Sequence, residues 1–115
     1  MQAIVSAHGP DVAVLRLTGE LDADTAPKLH ATLADLLDRP VPRIVVDLSD
    51  LKFCDSVGLS AFIVSKQVIA ARGGWLSFAG ANPFLTSLME TVGLSRYFAI
   101  FPRIDDAVAA AEKTK

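Results

Sequence analysis

Residues that carry chemistry are scarce in this chain of 115, which has one cysteine, two histidines, one tryptophan and one tyrosine. Cys54 has no partner for an internal disulfide, which agrees with a reducing compartment. His8 and His30, with no cysteine pair beside them, make no metal-ligand set, so neither a metal nor a cofactor is expected. Basic charge is short as well. Eleven Lys and Arg stand against 13 Asp and Glu, a net charge of −2, and binding to a phosphate backbone needs a basic patch that this balance does not supply. No apolar run approaches the roughly 20 residues of a membrane span. The N-terminal MQAIVSAHGPD lacks the basic region and apolar length of a signal peptide. Neither nucleic acid nor membrane is an expected partner, and a cytoplasmic protein is expected.

What is present is a core. Hydrophobic residues make up 51% and charged residues 21%, which excludes disorder and fits one compact α/β domain over residues 1–115. Ala3 to Ala7 and Val12 to Leu17 predict a β-hairpin about His8-Gly9-Pro10-Asp11. Gly19-Glu20-Leu21-Asp22 predicts a turn, with Asp24 or Thr25 capping a helix whose stripe is Leu29, Leu33, Leu36 and Leu37. The β-branched run 43–48 predicts a buried strand, and a helix follows from Asp55-Ser56 to Arg72-Gly73-Gly74. Trp75 to Ala79 is the next strand, with Trp75 expected to pack rather than bind. Asn82 and Pro83 open a helix carrying Leu85, Leu88, Met89 and Val92. Phe98 to Phe101 is the last strand, and Ile104, Val108 and Ala111 mark a terminal helix. This order implies a mostly parallel sheet of four to five strands, with an antiparallel edge strand and about four helices.

The informative stretch is Arg43 to Ile63, where a strand runs through a short polar loop into a helix start. Leu51 and Phe53 are expected to point inward, Asp55 and Ser56 to supply caps, and Gly58 to leave open backbone above the turn. The first N–H groups of a helix lack intrahelical partners and sit at the positive end of its dipole, so the Ser56 hydroxyl stands where an anion is favoured. Cys54, two residues earlier, is either a redox sensor or a small apolar filler. Enzyme readings fare poorly. Gly58-Leu59-Ser60-Ala61-Phe62 lacks the final glycine of a nucleophile elbow. Asp47 ends a VVDL strand, but the acid pair that binds Mg²⁺ after the first strand of a phospho-aspartate receiver is absent, and no Gly-x-x-x-x-Gly-Lys loop exists for a nucleotide.

Asp55-Ser56-Val57-Gly58-Leu59 resembles the phosphorylation motif of the STAS domains, and among them the bacterial anti-sigma-factor antagonists. Thr18-Gly19-Glu20-Leu21-Asp22 resembles that family's Gly-Glu-Leu-Asp turn, and the likeness continues to Val108. The resemblance implies a non-catalytic switch. The unphosphorylated form binds an anti-sigma factor that is also a serine kinase, phosphorylation breaks the complex, and a metal-dependent serine phosphatase resets it. Ser56 is then the phosphoacceptor, and Asp22, Asp55, Val57, Gly58, Ser60 and Val64 join it at the partner surface. Val57 departs from the family pattern, where a hydroxyl residue is common, and excludes double phosphorylation. STAS domains also serve as subunits of ABC-type transporters and stress-signalling scaffolds, and the sequence leaves that alternative open.

The helix after Ser56 carries two apolar stripes at 100° per residue. Leu59, Phe62, Ile63, Ile69 and Ala70 form one, with Lys66 in its midst; Val57, Val64, Val68 and Ala71 form the other, beside Ser60 and Gln67. If the first faces the sheet, as the motif register implies, the second is either covered by the neighbouring helix or exposed next to Ser56. A monomer is expected, with a weak dimer allowed.

Overall fold

The computed structural model describes residues 1–9 and 11–113; Pro10, in the first expected turn, lies outside them. Five strands form one sheet in sequential order: β1 (Gln2–His8), β2 (Val12–Leu21), β3 (Arg43–Cys54), β4 (Trp75–Ala79) and β5 (Ala99–Phe101). β1 is antiparallel to β2, and every other pair is parallel. Between them run α1 (Ala26–Leu36), α2 (Ser56–Ala71) and α3 (Pro83–Thr91), a 3-10 turn at Leu94–Arg96 precedes β5, and α4 (Ile104–Lys113) ends the fold. The expected α/β architecture with its antiparallel edge is the one observed.

Each parallel crossover steps one strand further in the same direction. Since such crossovers are right-handed, α1, α2 and α3 fall on one face of the sheet. Leu29, Leu33, Phe62, Ile69, Leu85 and Met89 from these helices share a core with Leu15, Leu17, Ile44, Val46 and Phe78. Phe78 is its centre, with ring centroids 4.9 Å from Phe62 and 4.7 Å from Phe98. α4 covers the other face, laying Ala107, Val108 and Ala111 on Val12, Val14, Val45 and Ala79. Trp75 packs at the margin of that layer, as expected.

Several expectations need correction. β2 does not turn at Gly19 but continues to Leu21, and β3 continues to Cys54 where a loop was expected after residue 48. Register shows why. Arg16 and Thr18 pair with Asp47 and Asp50, and Gly19 and Glu20 pair with Leu51 and Phe53, so β3 carries an extra residue at each of two bulges. Its buried side chains are then Leu48, Leu51 and Cys54, a spacing of three that hides a strand from any test for alternation. The second bulge also turns Phe53 outward, against the expectation that it points in.

Val92, expected on the buried stripe of α3, caps its C-terminus and is exposed. Ala70 is exposed too, because the buried stripe of α2 is centred on Phe62, Ser65 and Ile69. Ser65 meets burial by donating to the Ala61 carbonyl at 2.7 Å. Lys66 lies at the core's edge with Nζ 5.1 Å from the Tyr97 ring centre, a snorkelling side chain held by a cation–π contact.

Because Phe78 is fully buried among two aromatic neighbours, Phe78→Ala is expected to lower unfolding free energy by about 3–5 kcal/mol. Chemical denaturation measures this, and a loss below about 1 kcal/mol would show that the core collapses into the cavity.

Candidate functional site

Parallel β2 to β5 bring their C-terminal ends to one rim of the sheet, and α1, α2 and α3 all start there. Asp55 is the N-cap of α2: its backbone is extended (φ −99°, ψ −172°), and its carboxylate accepts from the Gly58 N–H at 3.0 Å. The cap is thus Asp55 alone, and Ser56, expected to share it, is the first helical residue with an exposed side chain. The Asp55 N–H donates to the Leu21 carbonyl at 3.3 Å, which ties the helix start to the end of β2.

Gly58 is buried rather than open to solvent as expected. A Cβ there would lie 2.6 Å from the Cys54 sulfur and 2.9 Å from the Leu21 carbonyl oxygen, so the glycine lets the first turn of α2 seat directly on β2 and β3. Its place in the motif is explained by this seating rather than by access to a ligand.

Asp22 stands beyond the end of β2, and its role is more structural than expected. Its Oδ1 accepts from the Asp24 N–H at 3.0 Å and the Thr25 N–H at 3.1 Å. Thr25 Oγ1 in turn accepts from the Asp22 N–H at 2.9 Å and donates to the Glu20 carbonyl at 3.0 Å. Neither Asp24 nor the Thr25 side chain caps α1; the Asp22 carboxylate satisfies the amides before it. Glu20 and Asp24 are exposed and Asp22 and Asp55 half-buried, so the rim about Ser56 is acidic.

Along α2, Val57, Ser60, Val64, Gln67, Val68 and Ala71 are all exposed, which settles the second stripe in favour of the surface. Val64, 47% exposed, edges a shallow groove of about 110 Å³ that it shares with Val68 and with His30, Leu33, Ala34 and Leu37 of the α1 side. Hydroxyl, valines and groove thus form one surface with the acidic turn at its end.

Comparison with known proteins bears on this arrangement. The family model described as "Mlab, STAS domain" matches residues 5–102. The chain belongs to the STAS-domain family. Over 104 residues, 90% of this chain and 86% of the relative, it is 32% identical to the anti-sigma F factor antagonist of Paenibacillus polymyxa. The crystal structure of an anti-sigma factor antagonist from Mycobacterium paratuberculosis superposes with a TM-score of 0.86 at 28% identity, covering 97% of this chain and 94% of that one. A putative antagonist from Thermotoga maritima shares the fold, with a TM-score of 0.88 at 21% identity and coverage of 96% and 95%. These relatives are regulatory proteins rather than catalysts.

This STAS domain also has a rim feature that sequence reasoning missed. Phe53 and Phe84 stack with centroids 6.3 Å apart and planes 19° from parallel, both exposed, Phe84 by 52%. A strand position whose phase depends on a bulge gives no signal in hydropathy, and nothing in the sequence links residue 53 to residue 84. Cys54, by contrast, is buried, and desolvation, with the nearby Asp55 charge second, pushes its thiol up to about 12. That favours the apolar filler over the redox sensor.

Three outcomes follow. Gly58→Ala is expected to destabilise by about 1–3 kcal/mol through overpacking, although alanine is the better helix former by about 1 kcal/mol; a stabilised variant in thermal melts would contradict the seating of α2. Asp55→Ala is expected to cost about 1 kcal/mol by loss of the cap. With its thiol pushed up to about 12 and its side chain buried, Cys54 stays protonated at pH 8, where a free cysteine is roughly one-quarter thiolate, so iodoacetamide should label the protein only in denaturant. Rapid labelling of the native protein, read by mass spectrometry, would reverse the assignment.

Proposed function

We propose that this chain acts as an anti-sigma-factor antagonist, one domain over residues 1–115, working in the cytoplasm and switched by phosphorylation of Ser56. In its unphosphorylated form it binds an anti-sigma factor that is a serine kinase. Phosphorylation breaks that complex, and a metal-dependent serine phosphatase restores it. The observation that carries this reading is the exposed Ser56 hydroxyl at the first position of α2, uninvolved in the cap that Asp55 provides.

The physics of release is local. A phosphate adds about −1.5 to −2 charges and three acceptor oxygens, and the α2 dipole and the remaining first-turn amides can hold it without refolding the domain. The change is felt outside. Glu20, Asp22, Asp24 and Asp55 already make the rim acidic, so further negative charge repels a partner that brings carboxylates there, and its bulk blocks close packing. Asp22, Asp55, Val57, Ser60 and Val64 form the contact surface, and Gly58 serves it by holding the helix start in place.

Ser56→Ala is expected to bind the kinase constitutively and resist phosphorylation, while Ser56→Asp weakens binding by about tenfold or more. Ser60→Ala, one turn along, is the control for the phosphorylation site: it removes a neighbouring hydroxyl and is expected to be phosphorylated like the unaltered chain. Mass spectrometry after incubation with the cognate kinase and ATP decides the site: phosphate on Ser60 or Thr25 with Ser56 untouched would sink it. Recovery from lysate of a membrane transport subunit instead of a kinase would favour the other roles of the STAS fold. Val64→Asp should remain folded, since Val64 is exposed, yet lose partner binding. Asp22→Ala should weaken binding and also cost about 0.5–2 kcal/mol of stability, because its carboxylate satisfies two turn amides; calorimetry showing unchanged affinity would leave the turn merely structural.

A further inference from the structure

The two edges of the sheet are unequal. β5 is three residues long, whereas β1 runs for seven and, among the described residues, no strand pairs with its outer side. Edge strands are ordinarily blunted by brevity, charge, proline, a bulge or cover. Among the described residues, β1 has none of these. Gln2 to Ala7 carry no charge and no proline, and pairing with β2 is regular from Gln2 opposite Thr18 to His8 opposite Val12. Every residue of the strand except Ala3 is exposed, Ile4 by 53% and Val5 by 42%. Arg16, the cation on β2 opposite Ile4, is already paired with Asp50, and Lys28 of α1 donates to the Met1 carbonyl just before the strand, so no unneutralised cation of β2 faces the middle of the edge.

We infer that the outer edge of β1 pairs with the same edge of a second copy of this chain, antiparallel about a two-fold axis at Val5. The sequence is self-complementary in that register. Val5 meets its own counterpart, Ile4 meets Ser6, Ala3 meets Ala7 and Gln2 meets His8, so no like charges oppose one another. The two Ile4 side chains become diagonal neighbours on one face, within reach of each other across the strands. Both exposed apolar residues of the edge are then covered by their own copies, as an isologous interface requires. A peptide ligand fits less well, since peptide-binding edges draw specificity from pockets for alternate side chains, and the small Ala3, Ser6 and Ala7 build none. This inference concerns a different part of the surface from Ser56 and stands apart from the switch.

Sedimentation equilibrium of the full chain, from micromolar to millimolar concentration, tests it. The mass is expected to rise from 12.2 kDa toward twice that value. Val5→Lys and Val5→Glu each place like charges face to face at the axis and are expected to raise the dimer Kd by about tenfold or more. Circular dichroism confirms that each stays folded. Mixing the two variants is expected to restore association, with the heterodimer visible by native mass spectrometry. A monomer at every concentration, a dimer indifferent to both variants, or variants that fail to associate when mixed would each overturn the proposal.

Discussion

The structure depends on how closely the first turn of α2 lies on the end of β2. Gly58 has room for a hydrogen and nothing larger between Cys54 and Leu21, and the Asp55 N–H reaches the Leu21 carbonyl across the same gap. With the backbone so near, Asp55 is held in the extended conformation from which its carboxylate reaches the Gly58 amide. The next residue in the chain is then necessarily the first of the helix, and its side chain has nowhere to go but outward. Exposure of Ser56 is therefore a consequence of packing beneath it.

Topology supplies the setting. Strand order without reversal puts three helices on one face and their N-termini along one rim. It also leaves no topological switch point, the place where open α/β sheets usually form a crevice for a small ligand. What the rim offers is a surface of acidic turn, hydroxyl, valines and stacked aromatics. Such a surface suits a macromolecular partner, and exposed stacked rings such as Phe53 and Phe84 are of the type that anchors protein interfaces.

The apolar strip on α2 follows from the same economy of faces. A helix on one side of a sheet buries one stripe, here Phe62, Ser65 and Ile69, and α1 approaches only part of its flank. Val57, Val64 and Val68 stay in solvent although nothing in their chemistry favours it. Their persistence beside Ser56 gives the proposed switch a hydrophobic surface to carry affinity, with charge at its end to set the response to phosphate.

Much of this was legible in the chain itself. Element order, the antiparallel edge and the helix starts at Asn82-Pro83 and Asp55-Ser56 could be read because they rest on local signals, periodicity, caps and turn formers, while the motif residues were legible through their resemblance to the STAS family. By itself the sequence determined the fold class and the candidate serine. The tertiary structure decided whatever depended on a neighbour distant in the chain. The two bulges of β3 are set by its pairing with β2, and they extended the strand to Cys54 and turned Phe53 outward onto Phe84. The burial of Gly58, the exposure of the second α2 stripe and the capping work of Asp22 also needed the assembled sheet. Periodicity reports that a helix has an apolar face, but which of two faces meets water is settled only when other elements compete to cover them.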